Sequence, residues 1–230
     1  MSKIKLVVFD MAGTTVKDND DVHNALISAM KQFGYPVSRG EANDVMGYPK
    51  PDAIRSLLEN VEPDHDIIST GYINKIHKVF VEEMIHFYKT SPEFGGTPNA
   101  EETFSKLKEK GIMIGLDTGF SKDITDVIVE RLGWLKEGKI DFVVASDEVK
   151  AGRPHPYMIQ ELMRKAGVES SDQVAKVGDT VADLQEGTNA KTKFVIGIAS
   201  GAYTRAELEV SPHTQIIGNL LEVVEIVSSK

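Results

Sequence analysis

Four stretches of the chain end in residues able to act on a charged group. The apolar run Leu6-Val7-Val8-Phe9 stops at Asp10, and Gly13, Thr14 and Thr15 follow at once. Leu116-Asp117 leads into Thr118 and Gly119, and Arg153 stands just past the run Phe142–Ser146. Val177-Gly178 ends at Asp179, with Asp183 four residues on. Each has a plain structural use when taken singly: an acid after a strand caps the next turn, Thr118 shapes a turn, Arg153 is a solvated cation, and Asp179-Thr180 begins a helix. Together they form the set that a phosphoryl group and Mg²⁺ require. Mg²⁺ takes hard oxygen ligands, few of them carboxylates. Asp10 and Asp179 supply two, and a backbone carbonyl near Ala12 a third. The phosphoryl oxygens need donors: the Thr118 hydroxyl, the backbone N–H groups of Gly13 and Gly119, and the Arg153 guanidinium. A carboxylate oxygen of Asp10 can then attack phosphorus to give an aspartyl-phosphate. Asp183, one helical turn past Asp179, supports these groups from behind.

Residues this far apart in the chain meet if their runs are parallel strands of one sheet, whose carboxyl ends share the edge where ligands bind. From Asn99 onward, helical and strand-like stretches alternate. Helices are predicted over Ala100–Lys110, Lys122–Leu132, Tyr157–Ala166 and from Val181. Between them lie strands Gly111–Leu116, Phe142–Ser146, Val174–Asp179 and Phe194–Ile198, with Thr214–Ile217 as a short edge. Such alternation predicts an α/β fold with a doubly wound, mostly parallel sheet and right-handed crossovers. Residues 16–92 break the alternation. Val22, Leu26, Ala29, Met30 and Phe33 recur at helical spacing, and further helices are predicted over Glu41–Met46, Pro51–Leu58 and Ile67–Tyr88. A crossover between parallel strands needs a single helix. Residues 16–92 therefore read as an inserted helical domain, joined near Thr15–Asp20 and Ser91–Pro98, with 1–15 and 93–230 forming the α/β core. A single elaborated α/β domain is the alternative.

Composition narrows the partners. With 41% hydrophobic and 27% charged residues over 230 positions, the chain can build a full core. It has no cysteine, which removes disulfides and thiolate zinc sites and fits a cytoplasmic setting. The net charge is −9, from 26 basic and 35 acidic residues with no basic cluster, so neither nucleic acid nor an anionic membrane is expected as a partner. No run approaches membrane-spanning length, and the N-terminal apolar stretch breaks at an acid where a signal peptide would continue. A small phosphorylated or phosphonate metabolite is the expected partner, held by local cations or a metal. The helix Val22–Phe33 can pair with a second copy or pack internally, so monomer and homodimer both stay open.

FDMAGTT, LDTG, KAGRPHPYM and GDTVADLQEG resemble, in that order, the four motifs of the haloacid dehalogenase superfamily of aspartate-nucleophile phosphohydrolases. The resemblance implies a Rossmann-like core, an Asp10 nucleophile, Mg²⁺, and a helical type-1 cap inserted after the first strand. More narrowly, DMAGTT, AGRPHP and GDTVADLQEG resemble the phosphonatases (phosphonoacetaldehyde hydrolases) and their phosphonatase-like relatives. Phosphatases of the superfamily carry a general acid two residues after the nucleophile, where this chain has Ala12. Phosphonatases also have Ala there and activate a carbon leaving group through an imine on a cap lysine. Met46-Gly47-Tyr48-Pro49-Lys50-Pro51-Asp52 resembles the loop bearing that lysine, which implies Lys50 as the amine and Met46, with Tyr48, as the roof over the substrate. The match departs at Ala53, where phosphonatases place a histidine, and at the two prolines flanking Lys50; His155 is the other proton carrier to consider. Phosphonoacetaldehyde hydrolysis is therefore the first expectation. A phosphatase for a small phosphorylated metabolite, of the phosphoglycolate type, is the second, and a non-catalytic phosphate-binding protein is the third. For Lys50 to reach phosphorus, residues 16–92 must close over the core.

Overall fold

The computed structural model describes residues 3–228, and its centre is a six-stranded sheet. The strands are β1 (Leu6–Asp10), β2 (Met113–Thr118), β3 (Phe142–Ala145), β4 (Val174–Gly178), β5 (Phe194–Ile198) and β6 (Gln215–Ile217). They lie in the order β3-β2-β1-β4-β5-β6, and every pairing is parallel. Successive side chains of a strand point to opposite faces, and β1 uses both. Val7, Phe9 and Met11 enter the large apolar cluster on one side. Leu6 and Val8 pack on the other with Val144, Met158, Ile159 and Leu162. Every β1 residue is buried, which is why the run reads as continuously apolar.

Register aligns the strand ends. Asp10 pairs with Asp117, Phe9 with Val177, and Thr118 with Ala145. One rim of the sheet therefore carries Asp10, Asp117, Thr118 and, two residues past Val177, Asp179.

Between β1 and β2 run α1 (Asp21–Gln32), α2 (Arg39–Asp44), α3 (Lys50–Val61), α4 (Thr70–Thr90) and α5 (Ala100–Glu109). Helices α6 (Lys122–Leu132), α7 (Tyr157–Ala166) and α8 (Val181–Asn189) follow β2, β3 and β4. Two short helices, α9 (Arg205–Leu208) and α10 (Glu222–Ser228), were not predicted from the periodicity, being too short to show one. The other differences lie at boundaries and come from caps. Ser38 forms a capping box with Glu41, so α2 starts at Arg39 and ends before Met46. Ser69 caps α4 at Thr70, and the predicted start near Ile67 is a separate single turn, His65–Ile67. β2 is shifted toward its C-terminal end, so Asp117 and Thr118 lie inside the strand rather than after it.

Helix α4 packs against α1, α3 and the core helix α6. Ile54, Leu57, Ile73, Phe80 and Met84 join the apolar cluster that contains Phe9, Phe104 and Ile124. Phe120, just past β2, meets Phe80 at 6.3 Å and Tyr88 at 6.0 Å between ring centroids. Helices α3 and α4, which lie between β1 and β2 in the chain, thus pack beside Phe120 at the end of β2. Among the described residues, no helix is long and apolar enough to cross a membrane.

Candidate active site

Asp10 is buried, and its Oδ1 accepts a hydrogen bond from Arg153 Nη1 at 2.7 Å. The loop after it is tied internally. Gly13 N–H donates to Val16 O at 2.9 Å, and Thr15 Oγ1 donates to Asp10 O at 2.8 Å. The Gly13 N–H is therefore spent within the loop and is not the anion donor predicted for it. What Gly13 supplies is space: its φ is 87°, and a Cβ there would fall 2.3 Å from Asp179 Oδ2. Asp179 is held close by Thr14 Oγ1, which donates to its Oδ1 at 3.0 Å, and by Ala202 N–H, which donates to its Oδ2 at 2.7 Å.

Beneath Asp10 lies a charge cluster that extends the predicted set. Besides Asp10, Arg153 binds Asp117 through Nη2 and Glu186 Oε2 through Nε at 3.0 Å; its Nη2 is 3.2 Å from Asp183 Oδ1. Lys176 Nζ binds Asp117 and lies 3.0 Å from Asp183 and 3.1 Å from Glu186. Asp183 also closes a capping box with Thr180, whose N–H and hydroxyl donate to its Oδ2, so Thr180, not Asp179, caps α8. Asp117, Lys176 and Glu186 were missed in the sequence reading. Lys176 left a signal there, as a lone charge in an otherwise apolar strand. Asp117 stood beside Thr118 and was passed over for it. Glu186 is one turn past Asp183 on the same helix face.

Five buried carboxyl groups, Asp10, Asp117, Asp179, Asp183 and Glu186, face three buried cations, Lys50, Arg153 and Lys176. Fully ionised, the cluster holds an excess of negative charge that burial makes costly. Burial raises the Asp10 pKa to about 7, with Asp183 and Asp117 adding to the rise and Arg153 and Lys176 opposing it. Burial, and then Asp10 and Asp183, push Asp179 well above the usual carboxylate range. Glu186 rises to about 8 through burial and its neighbour Asp117. Burial acts on Asp117 too, but Arg153 and Lys176 outweigh it and hold that carboxyl low. Carboxylate oxygens of Asp10, Asp179 and Asp183 come within 4.8 Å of one another, a grouping that could hold a cation.

Above the rim is a cavity of about 30 Å³, room for one or two waters. Of the predicted site residues, Asp10, Ala12, Met46, Lys50, Thr118, Gly119, Arg153 and Asp179 all line it. Gly13 and Asp183 lie outside the lining. The Thr118 hydroxyl accepts from Phe120 N–H at 3.2 Å and keeps its own proton to donate. Tyr48 is not part of the roof, because its hydroxyl donates to Gln185 Oε1 on α8 at 3.1 Å.

Lys50 is the first residue of α3, with Pro49 at the cap position and Pro51 inside the first turn, where a missing N–H costs nothing. The two flanking prolines thus start a helix. The side chain is 3% exposed. Its Nζ donates to Tyr48 O at 3.4 Å and sits 5.8 Å from the Phe80 ring and 5.7 Å from the Phe120 ring. Burial, reinforced by the Arg153 charge, lowers its pKa from 10.5 to about 8. Ala53 is buried among apolar side chains. His155 is exposed and stacks on Tyr157, so it is not a proton source for this cavity. The imidazole that does feel the Lys50 charge is His77 on α4; burial first, and Lys50 next, lower its pKa, and its buried Nε2 has no hydrogen-bond partner.

A doubly wound parallel sheet with acids and an arginine gathered at the carboxyl ends of its strands is a Rossmann-like α/β protein with its site at the strand ends. Residues 7–196 match the family model described as haloacid dehalogenase-like hydrolase, and the chain belongs to that family. It is 35% identical over 211 residues to phosphonoacetaldehyde hydrolase of Parabacteroides distasonis, covering 88% of this chain and 78% of that one. It is 30% identical over 238 residues to phosphonoacetaldehyde hydrolase of Bacteroides fragilis, covering 97% and 88% respectively. The crystal structure of a phosphonoacetaldehyde hydrolase-like protein from Oleispira antarctica superposes with a TM-score of 0.82 at 20% identity, over 98% of this chain and 93% of that one.

Proposed function

We propose that this hydrolase cleaves the phosphorus–carbon bond of a small phosphonate aldehyde, with phosphonoacetaldehyde the first candidate, using Asp10 as nucleophile and Lys50 as amine. The observation that carries the reading is Lys50 itself: a buried lysine with its pKa lowered to about 8, lining the same cavity as Asp10. Ala12 supports it, since no acid stands where an oxygen leaving group would need one. The Lys50 Nζ attacks the aldehyde carbon and water departs, leaving an imine. An Asp10 oxygen then bonds to phosphorus as the phosphorus–carbon pair moves into the imine, giving an enamine and an aspartyl-phosphate. Protonation and hydrolysis release acetaldehyde from Lys50, and water frees phosphate from Asp10. Arg153 holds Asp10 aimed, and Thr118 and Gly119 face the phosphoryl oxygens.

The donor set fits Mg²⁺: hard carboxylates of Asp10 and Asp179, whose excess charge burial leaves uncompensated, and the carbonyl of Ala12, with Asp183 supporting from α8. When bound, the ion would screen the charge between carboxylate and phosphoryl group. The test is borohydride trapping with phosphonoacetaldehyde. A reduced two-carbon adduct on Lys50 is expected; absence of the adduct, with good turnover of simple phosphate esters, overturns the reading.

Acetylation of Lys50 by a small external reagent, which needs the free amine, should rise with pH and level off above about 8, falling about tenfold per unit below that point. A labelling profile with its midpoint near 10.5 would contradict the burial of this amine.

Residues 16–92 act in this scheme as a cap. In this scheme α1 to α4 move away to admit the substrate and return over it. The seat is close. A Cβ on Gly119 would lie 2.8 Å from Gly47 O and from Tyr48 O, and one on Gly152 would lie 2.5 Å from Pro49 Cγ. Gly119→Ala should therefore hold the cap ajar, lowering kcat/KM by roughly 10²-fold with Tm little changed. A variant with normal kcat/KM would show that the Met46–Lys50 loop need not seat on the rim.

A further inference from the structure

The cavity has a third carboxyl group that this scheme leaves unused. Asp18 lies between the Asp10 loop and α1, and lines the cavity beside Val22, Met46 and Lys50. It is fastened by one oxygen: Asp18 Oδ1 accepts from Asp21 N–H at 2.7 Å and from Val22 N–H at 3.2 Å. These are free donors of the first helical turn, which a carboxylate satisfies well. Both bonds go to Oδ1 and leave Oδ2 free of them. Of the three acids in the lining, Asp10 and Asp179 belong to the core rim, and Asp18 comes from the side of the inserted helices, where Lys50 stands. The position that could have carried an acid on the core side is the methyl group of Ala12.

We infer that Asp18 is the proton partner of Lys50, taking the ammonium proton so that the amine can attack and returning it to the departing carbonyl oxygen. The inference rests on the Lys50 imine proposed above. The balance is as follows. A proton moves from Lys50 Nζ to Asp18 through one water in the cavity they both line, and the nitrogen lone pair then bonds the aldehyde carbon while the carbonyl pair moves to oxygen. Asp18 protonates that oxygen, takes back a proton from nitrogen, and gives it to the hydroxyl, which leaves as water. The products are an iminium on Lys50, a carboxylate on Asp18 and one water.

Burial raises the Asp18 carboxyl and lowers the Lys50 amine, so the two proton affinities approach each other. Asp18 is among the charges that hold the Lys50 ammonium up, together with Asp10; Arg153 acts against them, and His77 of α4 also feels Lys50. Facing Asp18 are Asp21 and His23 of α1 and Tyr88 of α4, whose buried hydroxyl has no hydrogen-bond partner.

Asp18→Asn separates a proton role from a capping role, because the amide oxygen still accepts from the α1 amides. Two readouts are needed. Competitive labelling of Lys50 with acetic anhydride across pH, read by mass spectrometry, should give a midpoint lower by about one unit in the variant. Borohydride trapping with phosphonoacetaldehyde at pH 7.5 should slow by about 10²-fold per free amine. An unshifted midpoint overturns the pairing, and a shifted midpoint with unchanged trapping overturns the proton transfer. If the parent protein traps no Lys50 adduct, the imine reading fails by itself, and the labelling midpoint still decides whether Asp18 and Lys50 are paired. Asp18→Glu should restore part of the trapping rate.

Discussion

Phosphonoacetaldehyde turnover should fall by about 10⁴-fold or more in Lys50→Met, while Asp10 still captures beryllium fluoride in the presence of Mg²⁺. The same substitution should make the protein more stable at neutral pH, and the sign follows from the pKa. A lysine whose folded-state value is about 8, against 10.5 in the unfolded chain, disfavours folding whenever it is protonated. The shift corresponds to about 3 kcal/mol, present in full below pH 8 and lost as pH rises through 10.5. Methionine has a similar length and no charge to desolvate. The Tm of Lys50→Met at pH 7 should therefore exceed that of the parent by roughly 6–12 °C, and the two should converge above pH 10.5. Lys50→Arg separates the contributions, since arginine keeps a charge it cannot give up and should lose both turnover and stability. A Lys50→Met protein that is less stable at pH 7 would mean that the ammonium is anchored by its surroundings. The claim that burial primes it as an amine would then fail. Stability given up at a reacting group is a common feature of enzymes, and here it resides in one side chain between Phe80 and Phe120.

The sheet was legible in the sequence because its cause is local. Runs such as Leu6–Phe9 and Val174–Val177 are apolar on both faces, and helical spacing separates them, so strand number, direction and the shared rim follow from pattern and topology rules. Most of the rim was legible for the same reason: a polar residue at the end of an apolar strand has one edge to occupy, and Asp10, Thr118 and Asp179 occupy it. What stayed hidden depends on contacts across the fold. Gly13 looked like an anion donor until Val16 was seen to take its N–H. Tyr48 looked like a roof until Gln185 was seen to hold its hydroxyl. Asp18 looked like a linker residue, since only the packing of α1 and α3 on the common helix α4 brings it to Lys50's cavity. Lys50 was placed in the loop just before the helix Pro51–Leu58, yet that helix starts at Lys50 itself, with prolines at its cap position and in its first turn. Helix starts moved by a few residues wherever a serine at 38 or 69 found a backbone N–H to cap.

Lys176 should respond in the opposite way from Lys50, although both are buried lysines near the same rim. Burial and the Arg153 charge act to lower its pKa, but Asp117, Glu186 and Asp183 prevail and hold the ammonium protonated above its ordinary value. A raised lysine pKa contributes stability at every pH below 10.5, the unfolded value, so the contribution is fully present at neutrality. Lys176→Met removes the charge and leaves Asp117, Asp183 and Glu186 sharing Arg153 alone. Breaking a buried ion cluster from one side costs about 3–5 kcal/mol, which for a chain of this size lowers Tm by roughly 10 °C or more. Two further measurements identify the cause. The stranded carboxyl groups take up protons more readily in the variant, so its deficit should shrink as pH falls from 7 to 5. Asp117→Asn, introduced together with Lys176→Met, should recover part of the loss, with a coupling of about 0.5–3 kcal/mol in the double-mutant cycle. Activity should fall as well, because the same acids fix the guanidinium that aims Asp10. A Lys176→Met protein as stable as the parent at pH 7 would mean that the acids beneath the rim are already neutral there, with Arg153 sufficient to balance those that remain charged.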